Sequence, residues 1–130
     1  MAELGIQSKL DLSYEEALVK VTDALKAEGF GVLTSIDVKE TMKKKLDVEF
    51  RKYSIFGACN PLLAHRALSA RPDVGLLLPC NVIIYEEGDG TIVNIIDPLS
   101  MTELIQDPTL DSVATEARER LQRVAESIRK

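Results

Sequence analysis

The residues best suited to chemistry lie close together in the chain, within residues 56–85. This stretch holds both cysteines, Cys59 and Cys80, and the only histidine, His65. Each cysteine is followed by an asparagine, in the sequences Ala-Cys-Asn-Pro and Pro-Cys-Asn. Thiol, imidazole and amide groups bind metal ions, act as nucleophiles or hold small ligands through hydrogen bonds. The candidate ligand-binding residues are therefore Cys59, Asn60, His65, Cys80 and Asn81.

Cys59 directly precedes a predicted helix start. Asparagine is a favoured N-cap residue and proline fits the first helical position, so Asn60-Pro61 predicts a helix that begins there. The positive end of the helix dipole stabilises a thiolate, and we expect the pKa of Cys59 to be lowered. Cys80 lies at the entry of a later strand. If the helix packs back along the sheet, the two Cys-Asn pairs meet at one end of it.

Three functions are compatible with such a site. The first is a non-enzymatic module that binds a small ligand or a metal ion, and a metal would need His65 as a third ligand and Asp97 or Asp73 as a fourth. The second is a thiol-dependent redox or transferase enzyme, with Cys59 as nucleophile and Cys80 as resolving thiol. The third is a structural interaction domain that acts as a homodimer. Each cysteine could equally be a small buried hydrophobic residue, so whether the protein is an enzyme stays open.

Length, net charge and apolar content limit the classes of partner that the protein can have. The chain has 130 residues, which predicts a single domain. Its net charge of −5 argues against nucleic acid, because phosphate binding requires an excess of Lys and Arg. No apolar run approaches the roughly 20 residues of a membrane span, and no signal peptide is evident. We therefore expect a cytoplasmic protein with reduced thiols and no membrane or nucleic-acid partner.

The pattern of apolar residues predicts the elements that position the site. Alternation predicts five strands, over residues 4–10, 30–36, 48–58, 76–85 and 91–96. Spacings of three and four predict helices over residues 13–29, 38–46, 99–105, and from 60 and 111 onward. Ser13 and Glu16 form a capping box, Pro79 delays the regular part of the fourth strand, and Gly88 to Gly90 form a hairpin turn. We predict an α+β fold, a two-layer sandwich with a mainly antiparallel five-stranded sheet and two long helices on one face.

The fourth strand is apolar on both sides. Val82 and Ile84 share one side, whereas Ile83 and Tyr85 share the other. Because a two-layer domain covers only one face of its sheet, the second face must meet a ligand, a partner chain or another element. We expect a homodimer or a lined cavity there.

Several segments together resemble a known family. These are Phe-Gly-Ala-Cys-Asn-Pro, the following Leu-Leu-Ala-His-Arg-Ala-Leu, the run Gly-Leu-Leu-Leu-Pro-Cys-Asn-Val and the Asp97-Pro98 ending of the last strand. They are similar to the domain of unknown function 302 family of bacteria and archaea, over almost the whole chain. The resemblance implies a TATA-box-binding-protein-like fold of the β-α-β4-α kind, without implying DNA binding. It implies no reaction.

Overall fold

The computed structural model describes residues 4–130, which form five strands and five α-helices. In chain order these are β1 (Gly5–Leu10), α1 (Tyr14–Ala27), β2 (Gly31–Asp37), α2 (Val38–Leu46), β3 (Tyr53–Cys59), α3 (Pro61–Ala70), β4 (Cys80–Glu87), β5 (Gly90–Ile96), α4 (Leu99–Thr102) and α5 (Pro108–Ile128). A 3₁₀ helix (Pro72–Leu77) precedes β4. The predicted α+β class and order of elements are confirmed.

The strands form one sheet in the order β1-β5-β4-β3-β2, and every neighbouring pair is antiparallel. The long helices α1 and α5 pack against each other and cover one face of this sheet. The shorter α3 extends the helical layer by packing against α5. The core lies between the layers and is centred on Val21, Leu25, Val82, Ile84, Val93, Ile95, Leu121 and Val124. No helix within residues 4–130 is apolar over a length that could cross a bilayer.

Local sequence signals place the ends of the helices. Ser13 Oγ accepts from the backbone N–H of Glu16, whose carboxylate accepts from the N–H of Ser13, so the capping box is confirmed. Gly29, at a φ of +83°, follows the end of α1 in the left-handed region that glycine tolerates. Helix α5 begins at Pro108, one turn earlier than predicted, because Asp107 caps it.

The predicted third strand begins too early. Residues 48–52 are not part of a strand, although Val48 continues the alternation. In the observed register Tyr53 pairs with Tyr85, so a strand through Val48 would need partners beyond the hairpin turn at Gly88. On its other edge β3 has no strand to extend along either, because the chain enters α2 at Val38, directly after β2. Before Lys52, whose carbonyl accepts from the N–H of Glu86 at 3.0 Å, the backbone has no strand on either side and gains no ladder hydrogen bonds, which explains why the apolar pattern misleads here.

On the sheet face without helices, the part where Tyr53 and Ile55 of β3 meet Ile83 and Tyr85 of β4 is apolar and half-buried. The rings of Tyr53 and Tyr85 stack on it, with centroids 5.1 Å apart, and Ile55 and Ile83 lie beside them across the same two strands. The second apolar face expected from the sequence is therefore present. A cavity lies on the helical side of the sheet, whereas the expectation of a homodimer or a lined cavity on the open face stays a prediction.

Candidate functional site

A cavity of about 70 Å³ lies where β3 ends and β4 begins, on the helical side of the sheet. Its walls come from these two strand ends, from α3 and α5, from the 3₁₀ helix and from the segment around α4. Five alanines contribute to it, and their short side chains leave space that larger residues would fill. They are Ala58, Ala64, Ala67, Ala114 and Ala117. No charged side chain among the described residues lines the cavity.

Asn60 forms the corner of the cavity and is buried by three elements. Its Oδ1 accepts from the backbone N–H of Leu63 at 3.2 Å, as expected for an N-cap of α3. Its Nδ2 donates to the carbonyl of Glu28 at the end of α1, at 3.5 Å, and Arg120 Nη1 from α5 donates to the same carbonyl at 3.2 Å. Because Gly29 has no Cβ, the amide can approach, since a Cβ there would lie 2.9 Å from Nδ2. Asn60 is therefore a structural junction whose Oδ1 and one N–H are already used.

Cys80 is buried at the cavity wall. Burial in apolar surroundings, with a smaller contribution from the charge of a Cys59 thiolate, raises the pKa of Cys80 from 9.0 to about 11. A thiol with this pKa stays protonated at neutral pH, where it acts as a small hydrophobic group rather than as a nucleophile.

The cysteine pair expected at this end is not formed. Both cysteines are free, and β3 and β4 do bring their segments to the same end of the sheet. However, Cys80 is paired with Ala58, so Cys59 lies one position past the partner of Cys80. Side chains alternate between the faces of a strand, which directs Cys80 toward the helices and Cys59 toward the opposite side. In this register the two thiols do not meet, as a nucleophile and its resolving thiol must.

Asn81 and His65 also lie away from the cavity. Asn81 is exposed on the open face of the sheet, where it is paired with Gly57. His65 is exposed on α3, and its neighbours Ala64 and Leu63 are the residues of that turn that reach the cavity. The two asparagines therefore do not converge, contrary to the expectation that the two Cys-Asn pairs would face each other.

The two carboxylates considered as metal ligands, Asp97 and Asp73, are bound to other groups of the protein. Asp97 accepts from the backbone N–H of Leu99 at 3.0 Å and from Arg118 Nε at 3.1 Å, so it holds the start of α4 to α5. Asp73 is exposed and bound to Arg71 Nε at 2.8 Å, and this hydrogen bond lowers the pKa of Asp73. Within residues 4–130 no three His, Cys, Asp or Glu side chains lie together as metal ligands would.

Eight of the twenty residues that line the cavity come from α5 and from the segment that follows β5, which the sequence did not single out as site elements. They include Val113, Ala114, Ala117, Met101 and Ile105. The available signal was the alanine content of the apolar stripes on α3 and α5. Small residues on two helices that face each other leave a void, but only packing shows that they do face each other.

The comparisons with known proteins agree on the fold. The family model described as "Domain of unknown function DUF302" matches residues 6–128. The crystal structure of an uncharacterized conserved protein DUF302 from Bacillus stearothermophilus superposes with a TM-score of 0.91 at 29% identity, over 98% of this chain and 100% of that chain. No curated protein matches the sequence.

Proposed function

The chain belongs to the DUF302 family, and we propose that it is a non-enzymatic binding module for a small apolar molecule. The binding site is the cavity at the Cys59/Cys80 end of the sheet. The observation that carries this proposal is a cavity of about 70 Å³ with a wall made of hydrocarbon, the Cys80 thiol and neutral polar residues. Ligand sites are typically concave, mostly apolar and already formed in the free protein.

The chemistry of the wall defines the ligand class. Burying a charge without a partner is costly, and no lining residue of the described chain offers one. Asn60 Oδ1 accepts from Leu63 and one N–H of Nδ2 donates to Glu28, which leaves the amide at most one N–H for a polar ligand. The ligand is accordingly a neutral apolar molecule, or the apolar end of a larger molecule whose polar part stays outside.

Metal binding and thiol catalysis at this site receive less support. A metal ion lacks a cluster of ligands within residues 4–130, and a thiol enzyme lacks a reactive second thiol because Cys80 is buried and protonated. A single nucleophile at Cys59 remains an alternative. We place the protein in the cytoplasm, where two free cysteines stay reduced.

Two measurements test the proposal. Xenon and benzene occupy apolar protein cavities, and methyl NMR should show shifts at Leu63, Val113 and Ile105 when either probe is added. Native mass spectrometry of the protein purified from its source should show a bound apolar molecule. The variant Ala114→Leu, which fills the cavity, should lose both signals. Ala17→Leu, in a buried position outside the cavity, is the matched control and should keep them. Probe shifts that spread over the surface, with no co-purified molecule, would refute the proposal.

A further inference from the structure

One long segment of regular structure has no buried side chain. From Gly31 to Phe50, through β2 and α2, all twenty residues are exposed or half-buried. Elsewhere in residues 4–130 the long helices and the other four strands each bury a face. A helix of nine residues such as α2 is marginal by itself in water, and helices in proteins gain most of their stability from packing. Within a single chain α2 makes its main contacts with β2 and β3, and of the segment's side chains the half-buried Val32 packs against the core.

The exposed surface of the segment is apolar. Twelve large hydrophobic side chains are exposed within residues 4–130, and five of them fall in these twenty residues. Their concentration in one place marks an interaction surface rather than the scattered exposure that is normal for a protein. These five residues are Leu33, Ile36, Leu46, Val48 and Phe50.

The two edges of the sheet differ in how well they are protected against pairing with a strand of another chain. At the β1 edge, Arg129 donates to the carbonyl of Gln7 at 3.4 Å and to Ser8 Oγ at 2.8 Å, and Lys9 places a charge on the strand. Charged residues of this kind prevent strands from pairing with other chains. The β2 edge has no charged residue before its last position, Asp37.

We propose that this segment is the interface of a homodimer, in which the β2 strands of two copies pair antiparallel across a two-fold axis. The pairing uses the regular part of β2 after the irregularity between Val32 and Thr34. Two sheets then join into one of ten strands, and α2 of each copy packs beside the joint. In such an arrangement the two Asp37 carboxylates lie at opposite ends of the strand pair, so like charges are kept apart.

Charge and size both favour a second copy as the partner. The chain as a whole carries −5, yet residues 31–50 hold four lysines and four acidic residues and are neutral. Ion pairs within the segment join Lys43 to Asp47 at 2.8 Å and Lys44 to Glu40 at 2.9 Å. A neutral surface lets two acidic molecules approach without repulsion at the contact. Its twenty residues reach the lower end of the roughly 20–30 residues per side of a stable interface.

Analytical ultracentrifugation of the full chain tests this proposal. The wild type should sediment as a species of twice 14.4 kDa. Leu33→Lys and Leu46→Lys replace side chains that are 69% and 66% exposed, so each should preserve the fold. Each should also weaken dimerisation by more than about tenfold, since it places a charge in the apolar surface that the second copy covers. The matched control is Leu76→Lys, at an 88% exposed position on the 3₁₀ helix, which should leave the dimer intact.

Hydrogen exchange on the wild type provides a second readout that needs no variant. On dilution from dimer to monomer, the backbone amides within Thr34 to Ile36 that point away from β3 should lose protection, while those bonded to β3 and those of β4 and β5 keep theirs. A monomeric wild type at every concentration would overturn the proposal. So would a dimer that Leu76→Lys dissociates and the two segment variants do not.

Discussion

Filling the cavity should stabilise the protein. In Ala114→Leu three additional carbon atoms enter a space of about 70 Å³. An empty apolar cavity costs about 24 cal/mol per Å³, which gives roughly 1.7 kcal/mol for this volume. The transfer free energy of the added carbons, at about 0.8 kcal/mol each, gives an upper limit near 2.4 kcal/mol. We expect the free energy of unfolding to rise by about 1–2 kcal/mol, because the new side chain does not fit the void perfectly.

Urea unfolding followed by circular dichroism measures this change, and the slope of the transition should be the same in both proteins. The control is Ala17→Leu, whose side chain is fully buried and away from the cavity. Overpacking a filled core costs about 1–3 kcal/mol, so this variant should be less stable than the wild type. If Ala114→Leu is destabilised to the same extent as Ala17→Leu, the void does not exist in solution and the site argument fails.

Three further predictions concern the groups around the cavity. In the native protein at pH 8 a thiol reagent should label Cys59 alone, since a pKa of about 11 leaves roughly one Cys80 thiol in a thousand ionised; simultaneous reaction of both would contradict its burial. Below about pH 9 Cys80 is protonated in both the folded and the unfolded protein, so its ionisation does not lower the free energy of unfolding. As the pH rises through 11, the free energy of unfolding measured by chemical denaturation should fall by about 2–3 kcal/mol more in the wild type than in Cys80→Ala. Asn60→Ala should cost about 1–2 kcal/mol through the lost cap, and Gly29→Ala a similar amount through its positive φ and its contact with the Asn60 amide. In a double-mutant cycle the double variant should lose less stability than the two single variants lose together. Strict additivity would show that the amide does not contact the glycine.

Much of the fold was predictable because local chemistry and packing agree along this chain. The capping box at Ser13, the Asn60-Pro61 helix start and the hairpin at Gly88 each use residues with one favoured backbone geometry. The alternation along β4 and β5 fixes which side chains face the helices. The error at Val48 has a different origin, since alternation shows what a strand could bury and not whether another strand lies beside it.

The cysteine pair could not be predicted from sequence, because it depends on the parity of a register. Between β3 and β4 the chain passes through α3 and the 3₁₀ helix, and the geometry of this connection decides whether Cys80 pairs with Ala58 or with Cys59. A shift of one residue moves every side chain of a strand to the other face. The cavity is equally non-local, since its walls are brought together from β3, α3, β4, α4 and α5.

The position of β1 has a consequence for how the chain reaches its native state. The first strand pairs only with β5, across some eighty intervening residues, as in the pairing of Leu10 with Thr91. During synthesis β1 must therefore wait until nearly the whole sheet has left the ribosome, and no early hairpin can hold it. Long-range pairings of this kind raise the contact order and slow folding. Among the strands of this protein, β1 is the one we expect to join last and to be most exposed to aggregation in a nascent chain.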